Sequence, residues 1–501
     1  MICVKINEES YSYDIHSLIK AFYPAEDIKV VLNDEDLNSD SNMPEFYVYA
    51  GMDKIKTGID SDGTEGLVKE VAVSDSLSKD RAAYKSELKR SLYRALSEYT
   101  GQELPWGTLT GIRPTKLAMT CLDEGMSEDA AVGYMKDFYL CSDTKAKLAT
   151  DIATRERQII KNIGADEKGY SLYIGIPFCP STCLYCSFMS YPIAAHRGAV
   201  DSYIDAVKKE LDFVAGSFAG RRLDSVYIGG GTPTTLSSER LKDLIGYVHE
   251  KIDLSNIKEF TVEAGRADSI DREKLTVLRQ MGVDRISVNP QTFNEDTLKL
   301  IGRKATAAET IEAFYLAREV GFDNINMDII LGLPGENIDD IKYTLDKIEE
   351  LKPNDLTVHS LAVKRGSKLA ELLLENKKIG DSNVMLRNDG IDYEEAMRLT
   401  EQTAARIGLS PYYLYRQKNI RGNLENTGYA EDGKAGIYNI LMMEEVQDIV
   451  ACGAGTVSKR VYVQDDNSVR IERCDTHKDL KLYLENTEQM IDRKRKLYGI
   501  D

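Results

Sequence analysis

Hydrophobic and polar residues alternate with different periodicities in the first 165 residues and in the region that follows. In the first 165 residues, short alternating segments predict strands, and longer segments with apolar residues every three or four positions predict helices. The predicted strands are Ile2–Ile6, Asp27–Leu32, Glu45–Ala50 and Val68–Val73. The predicted helices are Tyr11–Tyr23, Lys79–Tyr99, Pro114–Cys121, Ser127–Leu140 and Ser142–Ile163. This mixture predicts an N-terminal α+β domain over residues 1–165.

From Ser171 onward the pattern becomes a regular alternation of apolar strand and amphipathic helix. The predicted strands are Ser171–Ile176, Ser225–Ile228, Glu259–Ala264, Arg285–Asn289, Asn324–Ile330 and Asp355–Leu361, and helices separate them: Ala199–Phe218, Ser237–Lys251, Ile270–Met281, Ala307–Val320 and Ile338–Leu351. Strand–helix units of this kind give parallel strands joined by right-handed crossovers. The fold class is therefore α/β, with an open (β/α)6 partial TIM barrel over residues 166–370.

The regular alternation fades beyond residue 370. A helix is predicted over Val384–Ile407, a β-like tail near Arg460–Arg473 and a charged helix over Lys478–Tyr498. We therefore expect a mostly helical C-terminal extension, residues 371–501, that covers the substrate. Sites in such barrels gather after the carboxyl ends of the strands.

Charge and hydropathy exclude some classes of function. The chain of 501 residues has 64 Lys and Arg against 82 Asp and Glu, a net charge of −18. So acidic a surface repels phosphate backbones, which argues against a nucleic-acid partner. No run of about 18 apolar residues predicts a membrane span, and the N-terminus turns acidic before a signal-peptide core could form. We expect a cytoplasmic protein.

Three of the eight cysteines lie close together directly after the first predicted barrel strand. Cys179, Cys183 and Cys186 have the spacing C-x3-C-x2-C. Thiolates are the usual ligands of iron–sulfur clusters, and three of them leave one iron of a four-iron cube open. That corner suits the amino and carboxylate groups of S-adenosylmethionine. The alternatives are a chance group of buried thiols or a zinc site that lacks one of its four ligands, for which only His196 is near.

Polar or glycine residues follow several of the other predicted barrel strands. The run Gly229–Thr234 follows the second strand, and its glycines allow a ligand to approach the backbone closely. Glu263, Gln291 and Asp328 lie at the ends of strands three and four and inside strand five. A buried carboxylate needs a partner, which a bound ligand or Arg303 can provide. The alternatives are an ordinary turn for the glycines and internal salt bridges for the carboxylates.

Together these motifs resemble the oxygen-independent coproporphyrinogen III oxidase group of radical S-adenosylmethionine enzymes. The resemblance also includes Tyr173 and Gly332-Leu333-Pro334, and it covers about Leu172 to Ser458. The long N-terminal region and the segments Pro105–Lys116 and Pro411–Asn419 look like the HemZ type within this group.

The resemblance implies a role for each matching residue. Cys179, Cys183 and Cys186 would ligate a [4Fe–4S] cluster, and Tyr173 and Tyr185 would pack against it and S-adenosylmethionine, so that the cysteines and Tyr173 form the catalytic set. Gly230, Gly231 and Thr232 would hold the methionyl part. The adenosyl part, or a second S-adenosylmethionine, would be contacted by Glu263, Gln291, Arg303, Asp328 and the backbone of Ala362.

The resemblance further implies an activity, a substrate and a partner. The activity would be that of a coproporphyrinogen III dehydrogenase, which oxidatively decarboxylates two propionates to vinyls and gives protoporphyrinogen IX in heme biosynthesis. A low-potential flavodoxin or ferredoxin would supply electrons. The chain has Gly175 and Phe188 where the best-known members have His and an extra Cys, and the ending Cys186-Ser187-Phe188 is shared with heme chaperones. A heme-trafficking protein and a radical enzyme with another substrate are the alternatives.

An anionic tetrapyrrole requires cations and flat apolar walls, which Arg and Tyr provide. The densest such segment contains Tyr412, Tyr413, Tyr415, Arg416, Lys418 and Arg421, and Arg113 and Lys116 are second candidates. We therefore predict substrate contacts at Arg113, Tyr413, Arg416 and Lys418. The alternative is a solvated surface loop with one buried Tyr.

Overall fold

The structure is a computed structural model, and it describes residues 2–24, 26–32, 45–60, 66–111, 113–364, 366–379, 391–417, 424–464 and 469–500. The chain divides into two compact units. The first contains Met1–Thr154 and Tyr415–Glu425, and the second contains Arg155–Leu414 and Asn426–Asp501. Residues 371–501, predicted as a domain of their own, are therefore shared between these two units.

The first unit contains a five-stranded sheet in the order β2-β1-β3-β4-β5. β1 is parallel to β2 and β3, whereas β3, β4 and β5 are antiparallel. Its strands are β1 (Ile2–Ile6), β2 (Ile28–Leu32), β3 (Glu45–Ala50), β4 (Lys54–Asp60) and β5 (Val68–Ala72). Its helices are α1 (Ser12–Phe22), α2 (Asp75–Lys79), α3 (Arg81–Thr100), α4 (Thr115–Asp123), α5 (Glu128–Tyr139) and α6 (Asp143–Ile163), and the boundary between the units falls within α6.

The core of the first unit lies between its sheet and the helices α1 and α3. Leu18 and Leu88 from these helices pack with Phe46 and Ile55 from the sheet, and all four are inaccessible to solvent. α3 begins at Asp80, whose carboxylate accepts hydrogen bonds from two backbone amides of the first turn. These elements confirm the α+β pattern predicted from the sequence, with β4 as an additional strand.

The second unit is built on an open sheet of eleven strands in the order β14-β15-β13-β12-β11-β10-β9-β6-β16-β17-β18. The strands of this unit, including a separate short pair, are β6 (Gly169–Ile176), β7 (Phe178–Cys179), β8 (Tyr191–Pro192), β9 (Arg222–Gly230), β10 (Glu259–Gly265), β11 (Arg285–Val288), β12 (Ile325–Leu331), β13 (Asp355–Ser360), β14 (Ser410–Tyr415), β15 (Asn426–Ala430), β16 (Asp448–Cys452), β17 (Val457–Val463) and β18 (Val469–Asp475). The six predicted barrel strands are β6 and β9 to β13. They run parallel in sequence order, which confirms the open (β/α)6 fold.

Helices follow the barrel strands and continue to the end of the chain. They are α7 (Ile193–His196), α8 (Val200–Ser217), α9 (Ser238–Lys251), α10 (Arg272–Gln280), α11 (Glu295–Leu300), α12 (Ala307–Val320), α13 (Ile338–Leu351), α14 (Lys368–Ile379), α15 (Tyr393–Arg406), α16 (Ile437–Glu444), α17 (Leu480–Glu485) and α18 (Thr487–Tyr498). None of the helices in the described ranges is long and apolar enough to cross a membrane.

The C-terminal region is more mixed than its sequence pattern predicted. It contributes the strands β14 to β18, of which β16 is parallel to β6 and β15 is antiparallel to β13. β14 lies beside β15 in the sheet and β17 pairs with β18, so these strands have partners close along the chain. By contrast, β16 pairs with the distant β6, and its local pattern contains little of the signal that forms it. The predicted β-like tail near Arg460–Arg473 corresponds to β17 and β18, and the helices α14 to α18 form the predicted helical part of the extension.

The amino end of α16 closes the interior of the barrel sheet from one side. The Glu259 carboxylate accepts hydrogen bonds from the backbone amides of Ile437 (2.6 Å) and Tyr438 (3.2 Å). A carboxylate at a helix N-terminus is favourable because it meets unpaired amides and the positive end of the helix dipole. The Tyr438 ring stacks on Tyr227 (4.6 Å between ring centres) and on Tyr173 (5.9 Å). Aromatic rings therefore fill this part of the interior.

Candidate active site at the carboxyl ends of the barrel strands

The three clustered cysteines lie on the loop that follows β6. Cys179 and Cys183 are buried, and Cys186 is half-buried. The loop is tied to the glycine turn after β9, because the backbone amide of Thr232 donates to the Phe178 carbonyl (2.8 Å). Thus the structure places this loop, which we call the cluster loop (residues 177–191), at the carboxyl end of the barrel, as predicted.

Two hydrogen-bond donors point at sulfur atoms of this loop. The hydroxyl of Thr232 lies 3.5 Å from Cys179 Sγ, and Nη1 of Arg266 lies 3.7 Å from Cys183 Sγ. Arg266 is buried and is held in place by Asp268 (2.7 Å). A donor or a positive charge near a thiolate stabilises its negative charge and supports a metal ligand from outside. Arg266 was missed by the sequence analysis; its signal is a basic residue directly after a barrel strand.

The third cysteine differs in its surroundings. Burial raises the pKa of Cys186 to about 11, and the neighbouring thiols Cys183 and Cys179 contribute to this rise. Among the described residues, no three His, Cys, Asp or Glu side chains converge to hold a single metal ion. A four-iron cube spreads its ligands over separate corners, so it does not require the three thiols to meet at one point.

The glycine turn (Gly229–Thr234) lies so close to the cluster loop that there is no room for side chains at its glycines. A Cβ atom on Gly231 would lie 2.7 Å from the Phe178 carbonyl oxygen and 3.0 Å from Cys179 Sγ. Gly230 has a φ of +106°, which side chains rarely adopt. Both glycines are therefore required by the geometry of this turn.

Two carboxylates project into the barrel interior from neighbouring positions. Glu263 accepts a hydrogen bond from the Tyr227 hydroxyl (2.7 Å). Burial raises the pKa of Glu263 to about 7; the hydrogen bond from Tyr227 opposes this rise, and the nearby Asp328 contributes to it. Burial also acts to raise the pKa of Asp328, but a hydrogen bond from His359 and its charge keep that pKa below the usual range. The amide of Asn289 donates to Asp328 as well (2.8 Å).

Gln291 and Arg303 continue the same edge of the sheet. Gln291 has a left-handed backbone (φ 66°), and its amide donates to the Asp328 carbonyl (2.9 Å). Arg303 donates to the Asn289 carbonyl (2.6 Å) and to the Tyr185 hydroxyl (3.5 Å). Its Nε atom is buried and has no hydrogen-bond partner among the described residues. Since a buried donor without a partner is costly, this atom is available for a ligand.

Comparison with known proteins gives the family. Residues 173–348 match the Radical SAM superfamily. The oxygen-independent coproporphyrinogen-III oxidase-like protein HemZ of Bacillus subtilis is 42% identical over 405 residues, which cover 80% of this chain and 78% of that protein. The chain belongs to the HemZ family of radical SAM proteins. The heme chaperone HemW of B. subtilis is 38% identical over 194 residues, 38% of this chain and 50% of HemW.

A solved structure supports the fold of this HemZ-family member. The coproporphyrinogen III oxidase HemN of Escherichia coli has a TM-score of 0.51 and 21% sequence identity, and the match covers 67% of this chain and 73% of HemN. Radical SAM proteins use a [4Fe–4S] cluster and S-adenosylmethionine, and these are the cofactors of the chain. The residues fit the cluster, because two donors face the sulfur atoms of Cys179 and Cys183, and glycine at position 231 keeps side-chain atoms away from Cys179 Sγ.

The remaining predicted residues have mixed positions. Tyr173 lies in the barrel interior, with its ring 5.9 Å from that of Tyr227. Tyr185 packs against a small apolar cluster, and Ala362 follows the end of β13. The structure does not bring the predicted substrate residues into one described group.

Tyr413, in the second unit, is buried, and its hydroxyl lies 3.5 Å from that of Thr357. Arg416, in the first unit, is buried as well and donates to the Leu109 carbonyl (2.6 Å). Burial lowers the pKa of Arg416 to about 10, and Glu425 acts in the opposite direction. Both side chains are thus occupied by internal packing. Arg113 belongs to the first unit, and Lys418 lies outside the described residues.

Proposed function

We propose that the protein is an oxygen-independent coproporphyrinogen III dehydrogenase, which yields protoporphyrinogen IX. Each of two propionates of the substrate loses a hydrogen atom, carbon dioxide and one electron and becomes a vinyl group, and the electron passes to a one-electron acceptor. The observation that carries the proposal is the extent of the likeness to HemZ. It covers 80% of the chain, more than the second unit alone provides, and so it reaches into the first unit. The likeness to HemW covers 38%.

In this proposal the cluster loop holds the cofactor by its three cysteines. When bound, the cluster and S-adenosylmethionine supply the radical chemistry that removes a hydrogen atom from the propionate side chain. Thr232 and Arg266 stabilise the negative charge on the sulfur atoms of Cys179 and Cys183, respectively. Gly230 and Gly231 let the turn pack closely on the backbone at the end of β6, because a Cβ atom at either position would meet the Ile176 carbonyl oxygen. In this proposal the backbone of the turn holds the methionyl group.

The polar edge formed by strands β10 to β13 is proposed to hold the adenosyl part. Glu263 accepts hydrogen bonds from the Tyr227 hydroxyl and from the backbone amide of Gly230, so its carboxylate is fixed before a ligand binds. The buried Nε of Arg303 is a donor with no hydrogen-bond partner among the described residues. Gln291, Asp328 and the backbone of Ala362 complete the proposed set, for one S-adenosylmethionine molecule or two. Buried groups positioned in advance lose little freedom on binding.

Anaerobic reconstitution tests this function. Protein loaded with iron and sulfide is incubated with S-adenosylmethionine, coproporphyrinogen III and either reduced flavodoxin or ferredoxin as the proposed electron donor. We expect methionine, 5′-deoxyadenosine and protoporphyrinogen IX. Arg266→Gln should slow all three, whereas Arg272→Gln, on the exposed face of α10, should not. Cofactor cleavage without a vinyl product would contradict the proposed substrate.

The heme chaperone is the second candidate, favoured by the 38% identity to HemW. It predicts tight, stoichiometric heme binding and no conversion of coproporphyrinogen. Heme titration followed by absorbance, run in parallel with the assay above, separates the two functions. Conversion of substrate supports the dehydrogenase whether or not heme also binds.

A further inference from the structure

We propose that Phe188 and Lys364 form a substrate seat, a binding site for the flat face of a pyrrole ring of the tetrapyrrole and for one of its carboxylates, at the exposed edge of the cluster loop. This inference rests on the proposed function and deepens it, because it assigns residues to the recognition of a tetrapyrrole that carries propionates. Recognition is assigned to this pair and not to the Tyr- and Arg-rich segment around Tyr413 and Arg416, because both of those side chains are buried.

The position of Phe188 is the first observation. Exposure rises along the cluster loop from Cys179 and Cys183 (7% and 8%) to Phe188, whose exposure is 70%. Phe188 lies two residues after Cys186, the cysteine that is least buried. An aromatic face presented to solvent beside the cluster ligands matches the flat face of a pyrrole ring, because aromatic rings stack favourably with an offset.

The position of Lys364 is the second observation. Its ammonium lies 5.6 Å from the centre of the Phe188 ring. Lys364 is half-buried, and the ionisable neighbour that acts on it is the thiol of Cys186. Among the described residues it forms no ion pair with a carboxylate, so its ammonium can take an anion as a partner. The pair therefore offers the two features that a ring with carboxylate side chains requires.

The two parts of the seat are held to each other by the fold. The backbone amide of Leu369 donates to the carbonyl of Leu184 (2.9 Å), which ties the segment after β13 to the cluster loop. Val363 and Tyr185, one from each segment, pack on the same small apolar cluster. The Ser367 hydroxyl also donates to the carbonyl of Lys364 (2.9 Å). The juxtaposition is thus anchored on both sides.

The chain contains a matched control. Lys347 lies 5.8 Å from the ring centre of Tyr343, and Tyr343 is 47% exposed on the outer helix α13. This second pair also places a lysine near an exposed aromatic ring and has no relation to the cluster loop, although Lys347 additionally pairs with Glu350 (2.7 Å). Tyr343→Ala and Lys347→Gln therefore measure what the loss of a surface cation–aromatic pair does by itself.

The test is a binding titration of the reconstituted protein without reductant. Coproporphyrin III, the stable, coloured oxidised analogue of the substrate, and its tetramethyl ester are titrated separately and followed by absorbance. We expect Phe188→Ala to weaken both ligands and Lys364→Gln to weaken coproporphyrin III about tenfold, since a charge-assisted hydrogen bond is lost. Lys364→Gln should leave the ester unchanged, and both control variants should match the wild type.

Other outcomes overturn the inference and leave the proposed function standing. If the wild type binds and converts the tetrapyrrole while Phe188→Ala and Lys364→Gln bind it equally well, the seat is elsewhere. If Phe188→Ala only slows reduction of the cluster by flavodoxin, this surface binds the electron donor. If Lys364→Gln only shifts the midpoint potential of the cluster, the lysine sets that potential and does not bind substrate. If the wild type neither binds nor converts the tetrapyrrole, the proposed function itself is wrong.

Discussion

The hydroxyl of Thr232 lies 3.5 Å from the sulfur of Cys179, so the glycine turn after β9 contacts the first cysteine of the cluster loop directly. A hydrogen bond to a cluster sulfur offsets the negative charge that the cluster gains on reduction. Thr232→Val should therefore shift the midpoint potential of the cluster to a more negative value. It should also slow formation of 5′-deoxyadenosine by about tenfold or more.

A redox titration followed by electron paramagnetic resonance measures this shift. Thr276→Val is the control, because that hydroxyl bonds only to a backbone carbonyl on α10. An unchanged potential in Thr232→Val would mean that the contact with Cys179 has no electronic role.

Gly231→Ala tests the space beside the cluster loop. The new Cβ would lie 2.7 Å from a backbone oxygen and 3.0 Å from Cys179 Sγ, neither of which can move freely. Overpacking of this kind costs about 1–3 kcal/mol, and here it should appear as reduced iron binding per chain. Gly133→Ala, in the middle of α5 with no atom near the added group, should bind iron normally and gain about 1 kcal/mol in stability. Equal iron content in both variants would refute the steric argument.

The barrel was predictable because its signals are local. The helices α12 and α13 begin and end as predicted, and each starts at a capping box, Thr306 with Glu309 and Asn337 with Asp340. By contrast, β16 forms by pairing with β6, which lies nearly 280 positions earlier. Such a strand depends on a distant partner, and its own short segment gives no comparable signal.

The site shows the same division. The spacing of the three cysteines indicated a cluster, whereas the donors Arg266 and Tyr227 come from other strands and were not recognised. The sequence also placed Arg416 on a substrate surface, although its guanidinium lies over the buried Trp106 ring, more than 300 positions away along the chain. Composition cannot distinguish a cation that faces a ligand from one that packs inside.

Stability should depend on pH through Glu336, which is buried and accepts a hydrogen bond from the Thr292 hydroxyl (2.5 Å). Burial raises the pKa of Glu336 from its ordinary value of 4.5 to about 7, although that hydrogen bond acts to lower it. Between these values the folded protein keeps a proton that the unfolded chain has lost, so this group makes stability fall as the pH rises. Glu336→Gln removes this effect.

The measurement is the free energy of urea unfolding from pH 4.5 to 8 for wild type and Glu336→Gln. The variant should gain stability relative to the wild type by up to about 3 kcal/mol across that window. Asp284, whose pKa burial also raises to about 7, titrates in both proteins and cancels in the difference. Two parallel curves would show that Glu336 is ionised throughout.

The ion pair of Arg285 and Asp355 lies almost entirely out of contact with water (2.6 Å). Asp355→Asn keeps an oxygen that can accept from the Tyr412 hydroxyl but leaves a buried guanidinium without its counter-charge, so it should destabilise the protein by about 3–5 kcal/mol. Glu319→Gln breaks an exposed pair with Arg272 and should cost about 1 kcal/mol or less. Urea unfolding compares them, and similar losses would contradict the difference in burial.

The central claim is that Cys179, Cys183 and Cys186 hold a four-iron cluster with one iron left open for S-adenosylmethionine. The most direct measurement is electron paramagnetic resonance of the reduced, anaerobically reconstituted protein before and after addition of S-adenosylmethionine. The wild type should give a [4Fe–4S]⁺ spectrum that changes when S-adenosylmethionine is added. A control variant with Ala at Cys3, Cys121 and Cys474 should behave in the same way. A variant with Ala at Cys179, Cys183 and Cys186 should give no such spectrum. A wild type without this spectrum, or a cluster triple variant that keeps it, would contradict the account.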